Sequence, residues 1–280
     1  MKPVEAVFLG RPLARRKVAA SVLLLALAAV ACSRGPEQRI RSLHAAGRAP
    51  SSAGKRSVAR ALGDPDRDVR ANALVVMNSI DAAAAISMAR SAAADPDAVV
   101  RATAVRVLAG ATDPDTFHRL VELATSDPAW QVRAGAIDVI AASDDPAVDA
   151  ALQAALQDHV RRVRRRALAA GLARAAPWPV DALVGLLADE PDWENRSAAV
   201  RLLGRSKDPA AFAALDAAVR DPNEFVRASA TAGLQELKTD GVVRPAPPPP
   251  VVPPKRGATP RPPAPASPDP AAPAPTPSTG

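Results

Sequence analysis

Between residues 64 and 240 the apolar positions fall in columns four residues apart. Val69, Val100, Val132, Val163 and Val226 are each followed by an alanine: Ala73, Ala104, Ala136, Ala167 and Ala230. In one further copy Asn195 stands in the valine position ahead of Ala199. Met77, Leu108, Ile140, Leu203 and Leu234 continue these columns by another turn. An i, i+4, i+8 stripe is one face of an amphipathic helix. A second set, Leu120, Leu152, Leu183 and Leu215 with Ala124, Leu156, Leu187 and Val219, marks another helix between each pair of the first.

Polar punctuation opens both. Asp-Pro-x-x-x-Val-Arg stands at Asp64–Arg70, Asp95–Arg101, Asp127–Arg133 and Asp221–Arg227, with weaker copies from Asp158 to Arg164 and from Glu190 to Arg196. The arginines fall at 70, 101, 133, 164, 196 and 227, so the interval alternates between 31 and 32 residues. A fixed period of that length is the signature of a stacked repeat. In this reading the aspartate caps the helix N-terminus and the proline takes the first helical position. Pro114, Pro146, Pro177 and Pro209 open the second helices. One helix pair cannot bury both its faces, so the pairs must stack. The fold expected is all-α, an α/α solenoid of about six helix pairs of about twelve residues per helix.

This pattern resembles HEAT-like repeats of the phycobilisome-lyase type over roughly residues 36 to 240. The resemblance implies that the recurrent aspartates and arginines form a polar ladder between repeats, giving Arg70, Arg101, Arg133, Arg164, Arg196 and Arg227 a structural role. It is nearly silent on activity, because such folds serve many partners.

Residues 1–31 carry a basic segment with Arg15, Arg16 and Lys17, then the apolar run Val18 to Ala31. That run is about half of what a membrane-spanning helix needs, as in an export signal. Ala29-Val30-Ala31-Cys32 resembles the lipobox of bacterial lipoproteins, which implies lipidation of Cys32. The other reading of Cys32 is an ordinary small residue ending a signal or anchor. It is the single cysteine of the chain, so no intramolecular disulfide forms. Residues 32–63 read as a short tether and a degenerate capping pair with Ile40, Leu43, Val58 and Leu62. Residues 64–240 are the repeats. Residues 241–280 are mostly proline and alanine, a composition that builds no core and reads as a disordered tail.

The formal charge of +7 belongs to the two ends. Between 32 and 240 there are 27 basic and 27 acidic residues, which removes the electrostatic argument for nucleic acid. His44, His118 and His159 are scattered, and Asp144-Asp145 and Asp189-Glu190 fall where helix caps are needed. No phosphate loop, zinc spacing or nucleophile elbow is present. The sequence implies no catalytic residue, metal or cofactor, and the expectation is a non-enzyme.

The fourth repeat stands apart. His159-Val160-Arg161-Arg162-Val163-Arg164-Arg165-Arg166 leaves Arg161, Arg162, Arg165 and Arg166 on the outer surface. One repeat from Arg161 lie Trp130 behind and Trp193 ahead, which predicts a Trp-Arg-Trp strip. Arg162 has Glu194 in register, while Arg165 and Arg166 have no acid in register. This candidate binding patch suits an anionic headgroup, a phosphate-bearing glycan or an acidic protein segment; read structurally, it braces the outer face. On the second helices, Glu122, Ala154, Gly185 and Ala217 form a small-residue column beside Phe117, Val180 and Phe212, which would make a peptide groove.

The function expected is a non-catalytic protein-binding or scaffolding lipoprotein. It would sit at a bacterial envelope membrane facing the periplasm, the outer membrane being favoured because Ser33 is not the aspartate of inner-membrane retention. Its tail would contact peptidoglycan or another envelope protein. The family resemblance supplies an alternative, a lyase-like or enzyme-associated subunit, and an envelope assembly factor is a third reading.

Overall fold

The computed structural model describes residues 35–174 and 178–245. The signal segment with Cys32, Pro177 and most of the tail lie outside the described residues. The chain divides into two units, Met1–Arg244 and Pro245–Gly280, and every described helix belongs to the first. Among the described residues there are thirteen α-helices and no strand.

A capping pair comes first, α1 (Pro36–Arg48) and α2 (Ser52–Arg60), followed by a 3₁₀ turn at Ala61–Gly63. Five pairs follow: α3 (Arg67–Ile80) with α4 (Ala82–Ala92), α5 (Ala98–Leu108) with α6 (Pro114–Ser126), α7 (Trp130–Ile140) with α8 (Pro146–Leu156), α9 (Arg161–Ala173) with α10 (Val180–Asp189), and α11 (Trp193–Arg205) with α12 (Ala211–Ala218). The sixth motif opens α13 (Glu224–Thr239), and among the described residues no helix follows it. Each odd-numbered helix packs on the next odd-numbered one, from α1 through to α13.

The predicted columns are the core. Val69, Val100, Val132, Val163 and Val226 are buried, as are all six alanines from Ala73 to Ala230. Leu108, Ile137, Ile140, Leu152, Leu183, Leu203 and Leu215 are fully buried, each stabilising the fold by about 1.5–3 kcal/mol. Asn195 keeps its column by donating from Nδ2 to the carbonyl of Arg161 at 3.2 Å. Val219 leaves the core, 37% exposed, because α12 stops at Ala218.

The Asp-Pro pairs do not cap the first helices. Those helices begin two residues later, where Asp66, Asp97, Asp192 and Asn223 accept the orphan amides of α3, α5, α11 and α13. The motif aspartate instead closes a short turn. Asp95 Oδ1 accepts from the amide of Asp97 at 2.8 Å, and Asp127, Asp158 and Asp221 do the same for the residue two ahead. In the repeats that open α3, α5, α11 and α13 two capping-competent residues stand two apart, and the second caps while the first holds the turn and an arginine. In the second helices Asp113 and Asp145 do cap, with proline at the first turn.

Close approach needs glycine at two places. A Cβ on Gly204 would lie 2.5 Å from the Cα of Gly233, which is how tightly α11 and α13 meet. A Cβ on Gly171 would lie 2.4 Å from the indole of Trp178, which is folded back over α9. The C-terminus of α13 is closed by Gly241 at φ 74°, with the amide of Val242 bonded to the carbonyl of Leu237 at 3.0 Å.

Candidate functional site

Five of the six motif arginines do one thing. Arg70 donates from Nε and Nη2 to both carboxylate oxygens of Asp95 in the next repeat, each at 2.8 Å. Its Nη1 turns back to the carbonyls of Asp64 and Pro65 in its own repeat, at 2.9 and 3.1 Å. Arg101 repeats this on Asp127, Arg133 on Asp158, Arg164 on Glu190 and Arg196 on Asp221. Each rung therefore ties three points, two turns and one helix, through charge-assisted bonds in fork geometry.

The electrostatics follow. Hydrogen bonding to the partner carboxylate raises the Arg70, Arg101, Arg164 and Arg196 guanidinium groups above the ordinary value, against burial. Burial alone would raise Asp95, Asp158 and Glu190, but the arginine bonds and the turn amides hold all three below the usual carboxylate range. The Arg196 bond does the same for Asp221. These arginines are committed to the fold and are not a free cationic surface.

Arg227 ends the series. Its Nη1 is held by the carbonyls of Asp221 and Pro222, both at 2.9 Å, yet no carboxylate meets its fork among the described residues. At the other end the ladder starts one repeat earlier than the Asp-Pro motif shows. Arg39 in α1 pairs with Asp64 at 2.9 Å from Nε.

The patch on α9 assembles, with different partners from those expected. Arg162, and not Arg161, lies over the Trp130 ring, its Cζ 5.0 Å from the centroid. Trp193 stacks instead on Phe225, centroids 5.2 Å apart at 28°. Arg161 pairs with Asp192 at 3.6 Å. Arg165 pairs with Asp192 at 3.0 Å and also meets Glu194, the partner expected for Arg162. Arg166 pairs with Asp138 at 3.6 Å. Burial pushes the Asp138 carboxyl up, and Arg166 offsets part of that.

Between α7 and α9 these side chains border an open groove of about 590 Å³, with Trp130, Gln131, Arg162, Arg165 and Arg166 on its walls and Ala134, Gly135 and Ala169 beneath. Its first turns lack the side-chain caps that α3, α5, α11 and α13 carry. α7 and α9 begin at Ala129 and Val160 with no side-chain cap.

The second-helix column behaves otherwise. Glu122, Ala154, Gly185 and Ala217 are exposed, but Val180 and Phe212 are buried in the core and Phe117 is half-buried, so the expected aromatic wall does not form. Asp145 and Glu190 serve a cap and a rung. Among the described residues no cluster of His, Cys, Asp or Glu is placed to hold a metal, and no helix is long and apolar enough to cross a membrane.

A family model for HEAT repeats matches residues 86–173 and 174–245, more than half of the chain. The chain belongs to the HEAT-repeat family. Solved structures similar to this HEAT-repeat chain include human deoxyhypusine hydroxylase in complex with glycerol, 19% identical over 73% of this chain and 81% of that one, with a TM-score of 0.40. The Escherichia coli protein YibA is 22% identical over 65% of this chain and 72% of its own, with a TM-score of 0.49. A designed armadillo repeat protein in complex with the peptide (KR)4 is 19% identical, covering 64% and 98%, with a TM-score of 0.47. No curated protein matches the chain.

The HEAT array also carries a second set of ties that sequence reading missed. Arg174, at the end of α9, donates to the carbonyls of Ala141 (3.0 Å) and Ser143 and to Asp149 (3.0 Å). Arg205, 31 residues on, donates to the carbonyls of Leu172 (2.7 Å) and Arg174 (3.1 Å). Both satisfy orphan carbonyls where the preceding first helix ends. The 31-residue interval was the available signal, as it was between Arg39 and Arg70.

Proposed function

We propose that this HEAT-repeat protein is a non-catalytic protein-binding scaffold held at a bacterial envelope membrane by a lipid on Cys32. The observation that carries the binding part is the groove between α7 and α9. Elsewhere along the first helices the recurrent arginines are spent on the ladder, whereas here Trp130 and three further arginines surround open space. A HEAT array with neutral overall charge and such a locus among its described residues is suited to recognising a protein segment.

The anchoring part rests on the sequence: the basic and apolar run before Cys32 and its likeness to a lipobox. The periplasmic side and the outer membrane belong to the same proposal. The test is a photo-reactive residue at Gln131 in the native host, compared with one at Gln235 on α13. Adducts to an envelope protein from Gln131 and not from Gln235 are expected; equal labelling from both sites would remove the groove as the binding locus.

A further inference from the structure

We infer that the α7–α9 groove is a receptor for the carboxylate of an acidic protein segment, centred on Arg162; this rests on the binding-scaffold reading and names its ligand chemistry. Three features converge there. The first is the state of the arginines. Arg161, Arg165 and Arg166 are each matched by Asp192, Glu194 or Asp138. Among the described residues Arg162 meets only the Trp130 ring, a contact that orients the guanidinium and neutralises no charge. A planar fork held in place is organised for bidentate recognition of a carboxylate.

The second is the pair of helix starts beside it. In neighbouring repeats the amides of Val99, Glu194 and Phe225 donate to the caps Asp97, Asp192 and Asn223. One repeat away, the amides of Gln131 and Arg162 occupy the same position, and Ala129 and Val160 offer no side-chain acceptor. Two adjacent helix N-termini thus leave these amides without a side-chain acceptor, and both residues line the groove. The missing caps and the unmatched arginine are independent departures from the repeat pattern, and they fall together.

The third feature selects the ligand class. Four residues along α9, about 6 Å down the helix axis, Arg166 is paired with Asp138 on the groove wall. That end is not cationic, which disfavours a polyphosphate or a sheet of lipid headgroups spread along the groove. The floor of Ala134, Gly135 and Ala169 gives room for a chain lying between the helices. A peptide segment places one carboxylate at Arg162 and its own donors near Asp138. Trp130 supplies a flat apolar wall for its neighbouring side chain.

The test is a fluorescence titration of the full chain carrying Trp193→Phe, so that Trp130 and the buried Trp178 remain, with a short end-blocked oligoglutamate peptide. A saturable change in emission is expected, weakening as salt rises, with affinity reduced about tenfold in Arg162→Gln, a loss of about 1.4 kcal/mol. Arg201→Gln, a surface substitution on α11 away from the groove, is expected to leave it unchanged. Circular dichroism and thermal unfolding of each variant check that the fold is intact. Parallel titrations use inorganic phosphate and vesicles of anionic phospholipid. Equal affinity for free phosphate, tighter Arg162-dependent binding to vesicles, or binding unaffected by Arg162→Gln would each overturn the inference. Protein adducts from Gln131 without any response to oligoglutamate would leave the scaffold reading standing and remove the carboxylate assignment.

Discussion

Arg133 holds Asp158 through two bonds of 2.6 and 2.9 Å, with the side chains only 6% and 9% exposed. The pair joins α7 to the turn before α9, and it is the most enclosed arginine of the ladder. A buried pair adds little net stability, since desolving two charges offsets their attraction, but removing one partner strands the other. Arg133→Ala is therefore expected to cost about 3–5 kcal/mol. Arg227→Ala, at the open end, should cost less than about 0.5 kcal/mol. Urea unfolding midpoints of the two variants check this contrast.

The glycines divide the same way. Gly204→Ala places a methyl against backbone of α13 that cannot move aside, and a loss of at least about 1–3 kcal/mol is expected. Gly185, mid-helix in α10, has nothing within 4 Å of a Cβ. Gly185→Ala should raise stability by about 0.5–1 kcal/mol. Thermal unfolding of both variants reads the opposite signs.

Acid sensitivity follows from the rungs. Asp95, Asp158, Glu190 and Asp221 are held below their ordinary values, and bonds from the Thr116 amide and hydroxyl, with Arg90, take Asp113 down to about 2. A depressed folded value means the contribution is complete above the unfolded value near 4 and is lost as pH falls through the folded one. These groups should leave unfolding unaltered between pH 5 and 8 and weaken the fold progressively below about pH 4. A series of urea midpoints across that range measures it.

The second ties are testable too. Arg174 is nearly enclosed and bonds two carbonyls and Asp149. Arg174→Ala is expected to cost about 1.5–3 kcal/mol, the scale of a hydrogen bond to a charged group. Protease digestion should reveal earlier cutting between α9 and α10 in that variant than in the parent.

What the sequence revealed was whatever repeats. The valine and alanine columns and the six arginines of the Asp-Pro motifs were legible because their spacing fixes both face and register. Arg39 was not, because no Asp-Pro precedes it, although it sits 31 residues before Arg70. The turn role of Asp64, Asp95, Glu190 and Asp221 was hidden by a second capping residue two places on. In the patch, register alone put Arg161 on Trp130, whereas the next residue, Arg162, lies over that ring. Trp178 over Gly171 belongs to no column at all, so no periodicity could announce it.

The envelope-scaffold account is tested most directly by the intact mass of the N-terminal peptide from membrane and soluble fractions of the native host. The account predicts a peptide beginning at Cys32 and carrying two or three acyl chains, in the membrane fraction. An unmodified N-terminus in the cytosol would contradict it and put the lyase-like, enzyme-associated reading in its place.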